Sequence, residues 1–342
     1  MKALILESYG KTTIREVPTP CPLDNEVLIR VRACAICGSD IHGYAGLTDR
    51  RRSPIIMGHE AAGEIEETGC LVTHFCVGDR VVFNSSLFCG TCWYCAHGRQ
   101  NLCVSSRVYG VHCDNYKLNG AMAEYVVVPE RILYRMPDSL DFKKAALVEP
   151  LSVALHAVNR TPIGIREPAV VIGSGTIGLM LVQALKCAGC SPIVVLDIND
   201  ARLVHATKVG ADAVINTGHE ETAQEIKTLF PIGADHVFEA VGAAETINST
   251  LDIAKRGGTV TLIGNAAPRG NINFQKIVLK ELNVIGCYAC ANEYELAMRL
   301  MAEGLVDVNN IISKVAPLED AQRWLEVLKE GVEDLVKVVL VP

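Results

Sequence analysis

The sequence predicts an α/β protein of two domains: a β-rich one that opens and closes the chain, and a doubly wound parallel sheet inserted into it. Three observations predict this. The chain has 342 residues, about two domains' worth at ~150 residues each. Its first 150 residues read as short apolar strands punctuated by Gly and Pro. From about residue 169 apolar strands alternate with helix-length segments, the pattern of a parallel sheet covered on both faces.

In chain order, strands are expected over 27–31, 78–83 and 124–128. A strand at 170–172 leads into a helix ending near Lys186, and one at 193–196 leads into a helix ending near Lys208. Strands at 213–215, 236–238, 259–263 and 284–285 continue the series. Helices at 293–303 and 318–329 and a last strand at 336–341 then return to the first domain. The implied boundaries are 1–152, 153–287 and 288–342. Residues 168–185 carry no charge, but three glycines, Ser174, Thr176 and Gln183 make them a strand running into a helix and not a membrane span.

A net charge of −7 with basic residues dispersed offers no footprint for nucleic acid or an anionic membrane. An apolar fraction of 49% suits a globular enzyme. The N-terminal apolar run is broken by Glu7, too early for an export signal. The expected compartment is therefore the reducing cytoplasm, where clustered cysteines bind metal or catalyse. There are fourteen cysteines.

Gly173-Ser174-Gly175-Thr176-Ile177-Gly178 follows a strand and opens a helix, and Asp197 ends the next strand. Alone the glycines could mark only a tight turn. In this context they let the backbone approach a pyrophosphate at a helix N-terminus. Asp197 would accept from the adenosine ribose and repel a 2′-phosphate, so NAD is expected over NADP. Arg202, a helical turn further on, is either a solvated residue or an adenine contact. Val241, Gly242, Gly264 and Gly286 lie at later strand ends, where ligand binds in such sheets.

Cys89, Cys92, Cys95 and Cys103 place four thiols in fifteen residues. One loop can wrap a tetrahedral zinc with them, and four protein ligands leave no open position, so this zinc is structural. Cys187/Cys190 and Cys287/Cys290 have no companion ligands and read as ordinary thiols. Cys37, His59, Glu60 and Glu149 are scattered, yet one thiolate, one imidazole and one or two carboxylates suit a zinc with an exchangeable position.

Gly58-His59-Glu60-Ala61-Ala62-Gly63, then Gly69 after five residues, resembles the signature of the zinc-containing medium-chain alcohol dehydrogenases. Cys37-Gly38-Ser39-Asp40-Ile41-His42, the four-cysteine loop and the glycine fingerprint stand in that family's order. The resemblance spans essentially the whole chain and implies a GroES-like catalytic domain joined to a Rossmann domain. Glu149-Pro150-Leu151-Ser152-Val153 resembles the sorbitol (polyol) dehydrogenase branch; simple alcohol dehydrogenases have a second cysteine ligand where Glu149 stands. Whether Glu60, Glu149 or water completes the catalytic zinc stays open. The resemblance also assigns Ser39 to receive the alcohol proton and His42 to pass it on; Asp40, close by in sequence, is expected to fix the tautomer of His59. It implies a homodimer or homotetramer.

The function expected is NAD-dependent oxidation of a secondary alcohol, on a polyol or a sugar-acid or sugar-phosphate derivative, to a ketone. L-Threonine or a 2,3-butanediol is the rival substrate, and a catalytically silent nucleotide-binding protein the rival class. Arg50-Arg51-Arg52 could hold a substrate anion or be a solvated loop, and Tyr288 could face substrate or pack in a core.

Overall fold

The computed structural model describes residues 1–218, 222–331 and 334–342. The chain divides into two compact units, Met1–Glu149 with Tyr294–Gly304 and Ile312–Pro342, and Pro150–Glu293 with Leu305–Ile311. The sequence reading put the breaks at 152 and 287 and did not foresee that 305–311 rejoins the second unit. The backbone N–H of Asp307, bonded to Gln183 Oε1 at 2.7 Å, ties that segment down.

The first unit is built on a seven-stranded sheet. Leu133–Arg135, Arg80–Phe83, Glu60–Thr68, Glu26–Ala35, Lys337–Val341 and Ile312–Pro317 follow one another across it, and Tyr125–Pro129 also pairs with Glu26–Ala35. The sequence reading ended the Glu26–Ala35 strand at 31 and had no strand at Ile312–Pro317. Leu4, Val27, Ile29, Tyr44, Phe83 and Leu340 are among its core residues. Each large aliphatic so buried contributes about 1.5–3 kcal/mol relative to exposure.

The second unit is a six-stranded, all-parallel sheet ordered Ala213–Asn216, Ile193–Asp197, Ala169–Ile172, Ala234–Glu239, Ala254–Leu262, Asn283–Gly286. That is strand order 3-2-1-4-5-6, the doubly wound dinucleotide-binding arrangement, with its switch point between Ala169–Ile172 and Ala234–Glu239. The uncharged stretch at 168–185 resolves into the Ala169–Ile172 strand and the Thr176–Cys187 helix. Among the described residues no helix is long and apolar enough to cross a membrane.

Candidate active site and cofactor sites

Strand register assembles the first site. Ala35, near the end of the Glu26–Ala35 strand, pairs with Glu60 on one side and with Val339 on the other. Two residues beyond Ala35, Cys37 caps the Gly38–Tyr44 helix, and its backbone N–H donates to Asp40 Oδ2 at 3.1 Å. The ligand atoms of Cys37, His59 and Glu60 lie within 4.8 Å of one another. Glu149 stands outside that group, in the first turn of the Val148–Arg160 helix, where its Oε1 accepts from Ser85 Oγ at 2.8 Å.

These donors are rich in negative charge. Burial alone would discharge His59, yet Asp40, Cys37 and Glu149 together push its imidazole up to about 10. Burial raises the Glu149 carboxyl too, with His59 pulling it back and Glu60 pushing it further up. Lys337, 2% exposed, donates to both oxygens of Glu60 at 3.0 and 2.8 Å and to the Ile36 carbonyl at 3.0 Å. Burial opposes its charge, but Glu60 and then Cys37 raise its pKa.

A charge count tests whether zinc fits. The anions are Asp40, Glu60, Glu149 and a Cys37 thiolate, and the buried cations are Arg51 and Lys337. With His59 neutral, a divalent cation brings the cluster to neutrality. A buried cluster demands that balance. Soft and borderline donors in this combination suit zinc.

Asp40 departs from the role expected of it. Its Oδ1 is 3.6 Å from His59 Nδ1, beyond hydrogen-bond range, and His59 Nδ1 has no hydrogen-bond partner. The reason is that Asp40 is engaged elsewhere, by the Cys37 N–H and by Arg51 Nη2 at 3.3 Å. It acts on His59 through charge. Ser39 is solvent-exposed beside Cys37, and His42 is exposed in the helix's last turn.

In the cysteine loop all four sulfurs lie within 4.8 Å of one another. Cys92 Sγ and Cys89 Sγ lie 3.5 and 4.0 Å from Cys95 Sγ. A tetrahedron with Zn–S of about 2.3 Å has S···S edges of about 3.8 Å, so zinc fits these four. Backbone N–H groups of Thr91 and Cys92 lower the Cys89 pKa toward thiolate. Among the described residues these are the two groups of three or more potential metal ligands. The fourteen cysteines are all free thiols.

In the second unit the glycines leave room where a dinucleotide needs it. A Cβ on Gly178 would lie 1.8 Å from the Gly173 carbonyl oxygen, so the Thr176–Cys187 helix can start this close to the strand end only with glycine there. Gly173, at φ +98°, faces Val241 across the switch point; a Cβ would lie 2.7 Å from Val241 Cγ2. Gly175 caps the helix with open space around it, leaving Thr176, Ile177 and Gly178 as the first turn. Gly264 closes against Gly242, where a Cβ would lie 2.1 Å from the amide nitrogen. Asp197 Oδ2 accepts from Ser174 N at 2.6 Å and Ser174 Oγ at 2.7 Å, and Oδ1 accepts from Asn199 N at 3.0 Å. A carboxylate has about four acceptor positions, so one remains for a ribose hydroxyl. Arg202 is exposed, its N–H serving the Asn199 cap.

Four residues of these sites escaped the sequence reading: Lys337, Arg51 as a buried group, Ser85, and Glu239. Glu239, fully buried, accepts from the N–H groups of Val241 and Gly242 and from Thr246 Oγ1, which shapes the strand-end loop. A lysine opening an otherwise apolar final strand was the available signal for Lys337. Tyr288 is 44% exposed, which removes the core-packing option for it.

A parallel dinucleotide-binding sheet and a thiolate–imidazole–carboxylate donor set carried by one chain define a metal-dependent nicotinamide dehydrogenase. The comparisons agree. Residues 23–138 match the Alcohol dehydrogenase GroES-like domain and 176–303 the Zinc-binding dehydrogenase domain. The chain is 34% identical to a sorbitol dehydrogenase of Bacillus subtilis, covering 100% of this chain and 97% of that one. It is also 34% identical to an L-threonine 3-dehydrogenase of Bacillus velezensis, over 100% and 99%. A solved zinc-binding dehydrogenase from Sinorhizobium meliloti, bound to NADP, superposes with a TM-score of 0.90 at 31% identity, covering 100% and 99%. The chain belongs to the zinc-containing medium-chain alcohol dehydrogenase family, in its sorbitol dehydrogenase-like branch.

Proposed function

We propose that the protein is an NAD-dependent enzyme that oxidises a secondary alcohol of a polyol to a ketone. The observation that carries this reading is the Cys37, His59 and Glu60 donor set, whose surroundings become neutral with a divalent cation. When bound, zinc supplies Lewis-acid polarisation of the alcohol and NAD supplies the hydride acceptor. Cys37, His59 and Glu60 hold the metal, with Lys337 orienting Glu60 and Ser85 orienting Glu149. Ser39 receives the hydroxyl proton and His42 carries it to solvent. Gly173, Gly175 and Gly178 admit the pyrophosphate, while the Asp197 charge disfavours a 2′-phosphate. Cys89, Cys92, Cys95 and Cys103 hold a second, structural zinc.

Among substrates, the arginine triplet gives little support to an anionic one. Arg52 is ion-paired with Asp114 and Arg51 with Asp40, so at least two of the three already have carboxylate partners. A neutral polyol is the better fit. A homo-oligomer is supported by the last strand of the parallel sheet, Asn283–Gly286, which is an edge. In the helix that precedes it, Phe274–Leu279, Phe274 and Val278 are each 72% exposed, and a second copy would cover such a surface.

The test is NAD+ reduction over hexitols, hexitol phosphates, aldonates, threonine and butanediols, repeated with NADP+. We expect the highest rate with a neutral polyol and a clear preference for NAD+. Highest activity on a phosphate or aldonate would overturn the substrate reading, and equal rates with NADP+ the role of Asp197.

A further inference from the structure

The three consecutive arginines have three different environments. Arg50 is exposed and Arg52 pairs with Asp114, whereas Arg51 is 3% exposed. Its loop is pinned by a parallel bridge to His112. The Arg52 N–H donates to the His112 carbonyl at 2.9 Å, and the His112 N–H donates to the Arg50 carbonyl at 3.2 Å. The Arg51 stem then crosses the Gly38–Tyr44 helix at Gly43, where a Cβ would lie 2.1 Å from Arg51 Cγ. The guanidinium arrives beside the two residues that precede Ile41. Nη2 donates to Ser39 Oγ at 3.1 Å and to Asp40 Oδ1 at 3.3 Å, and Nη1 donates to the Arg50 carbonyl at 3.3 Å.

We propose that Arg51 is a positioning residue of the dehydrogenation, setting the direction in which the Ser39 hydroxyl gives and takes protons. The proposal rests on the proton-relay reading of Ser39. A serine hydroxyl has one proton and two lone pairs, and a guanidinium has donors only. With Nη2 on one lone pair, the serine proton cannot point at Arg51. One lone pair and one proton are left facing away from it, the pair needed by a group that accepts and donates in one step. The alcohol O–H bond breaks as a new Oγ–H bond forms, and the former Oγ proton moves on toward His42. The two electrons of the carbinol C–H bond leave as hydride to NAD+. Asp40, fully buried, balances the guanidinium charge and holds the fork in place, so Arg51 is committed to this contact and closed to a substrate anion.

The experiment is a double-mutant cycle of Arg51→Met and Ser39→Ala in the full-length protein, with D-sorbitol and 2,3-butanediol as probe alcohols. Zinc per chain and thermal unfolding are measured on every variant. Methionine keeps the stem that packs on Gly43. We expect Arg51→Met to lower kcat about tenfold while both KM values and the zinc content stay as in the parent. Ser39→Ala should cost more, and the double variant should match Ser39→Ala alone. Gly43→Ala, which displaces the stem without removing the charge, should repeat the Arg51→Met phenotype, and Arg51→Lys should recover part of kcat. Multiplicative losses in the double variant, or a kcat loss that follows zinc loss, would overturn the positioning role. An unchanged kcat in Ser39→Ala would instead overturn the relay beneath it.

Discussion

Lys337 and Glu60 are 277 residues apart in sequence, yet each is the other's charge partner at 2.8 Å in a place where neither meets water. A buried ion pair that loses one partner leaves the other uncompensated, at about 3–5 kcal/mol. We therefore expect Lys337→Met to lower the unfolding free energy of zinc-free protein, read from urea titration, by roughly that amount, and the added Glu60→Gln change to restore much of it. Glu293 gives a pH counterpart. Burial works against its charge, but His156, the Ala291 N–H and Asn159 Nδ2 outweigh it and its pKa is lowered. A depressed folded pKa adds stability that is fully present above the ordinary glutamate value and is lost as pH falls through the folded one. The unfolding midpoint of Glu293→Gln should accordingly lie furthest below that of the parent at pH 7, with the gap narrowing as pH falls below 4.5.

At the scale of elements, what was legible was what is local. The glycine fingerprint lies in six consecutive residues, and the cysteine loop in fifteen, so each could be read where it stood. The Cys37, His59 and Glu60 set was readable only as residue types and by family resemblance, because a strand register brings them together: Ala35 opposite Glu60, and Val339 opposite Ala35. Ending the Glu26–Ala35 strand at 31 hid that delivery. Arg51 was unreadable for a related reason. Arg50, Arg51 and Arg52 look alike in sequence, and only the bridge to His112 decides which one is buried. The cysteine loop has one short α-helix, Trp93–Ala96, with no buried residue, and a 3-10 turn, Gln100–Leu102, whose buried residue is the polar Asn101, so apolar packing contributes little there and metal must contribute more. Cys95→Ser should remove one zinc per chain and make the loop the first site of limited proteolysis, with the Rossmann sheet still folded by circular dichroism.

At the scale of the whole molecule, the sequence reading anticipated an inserted parallel sheet, and the strand order 3-2-1-4-5-6 is that sheet. It did not anticipate the crossing of 305–311 into the second unit, since that segment has no periodicity and is held by Gln183 from a helix far upstream. Assembly is tested at the exposed edge. Phe274→Asp with Val278→Lys should shift the molar mass by light scattering to that of a single 36.9 kDa chain, and an unchanged mass would place any interface elsewhere.

The most direct measurement is zinc per chain in freshly purified protein, made together with NAD+ reduction, for the parent and for Cys37→Ala. We expect two zincs in the parent, and one zinc with no NAD+ reduction in Cys37→Ala. One zinc or none in the parent, or NAD+ reduction that survives in Cys37→Ala, would contradict a catalytic zinc at Cys37, His59 and Glu60.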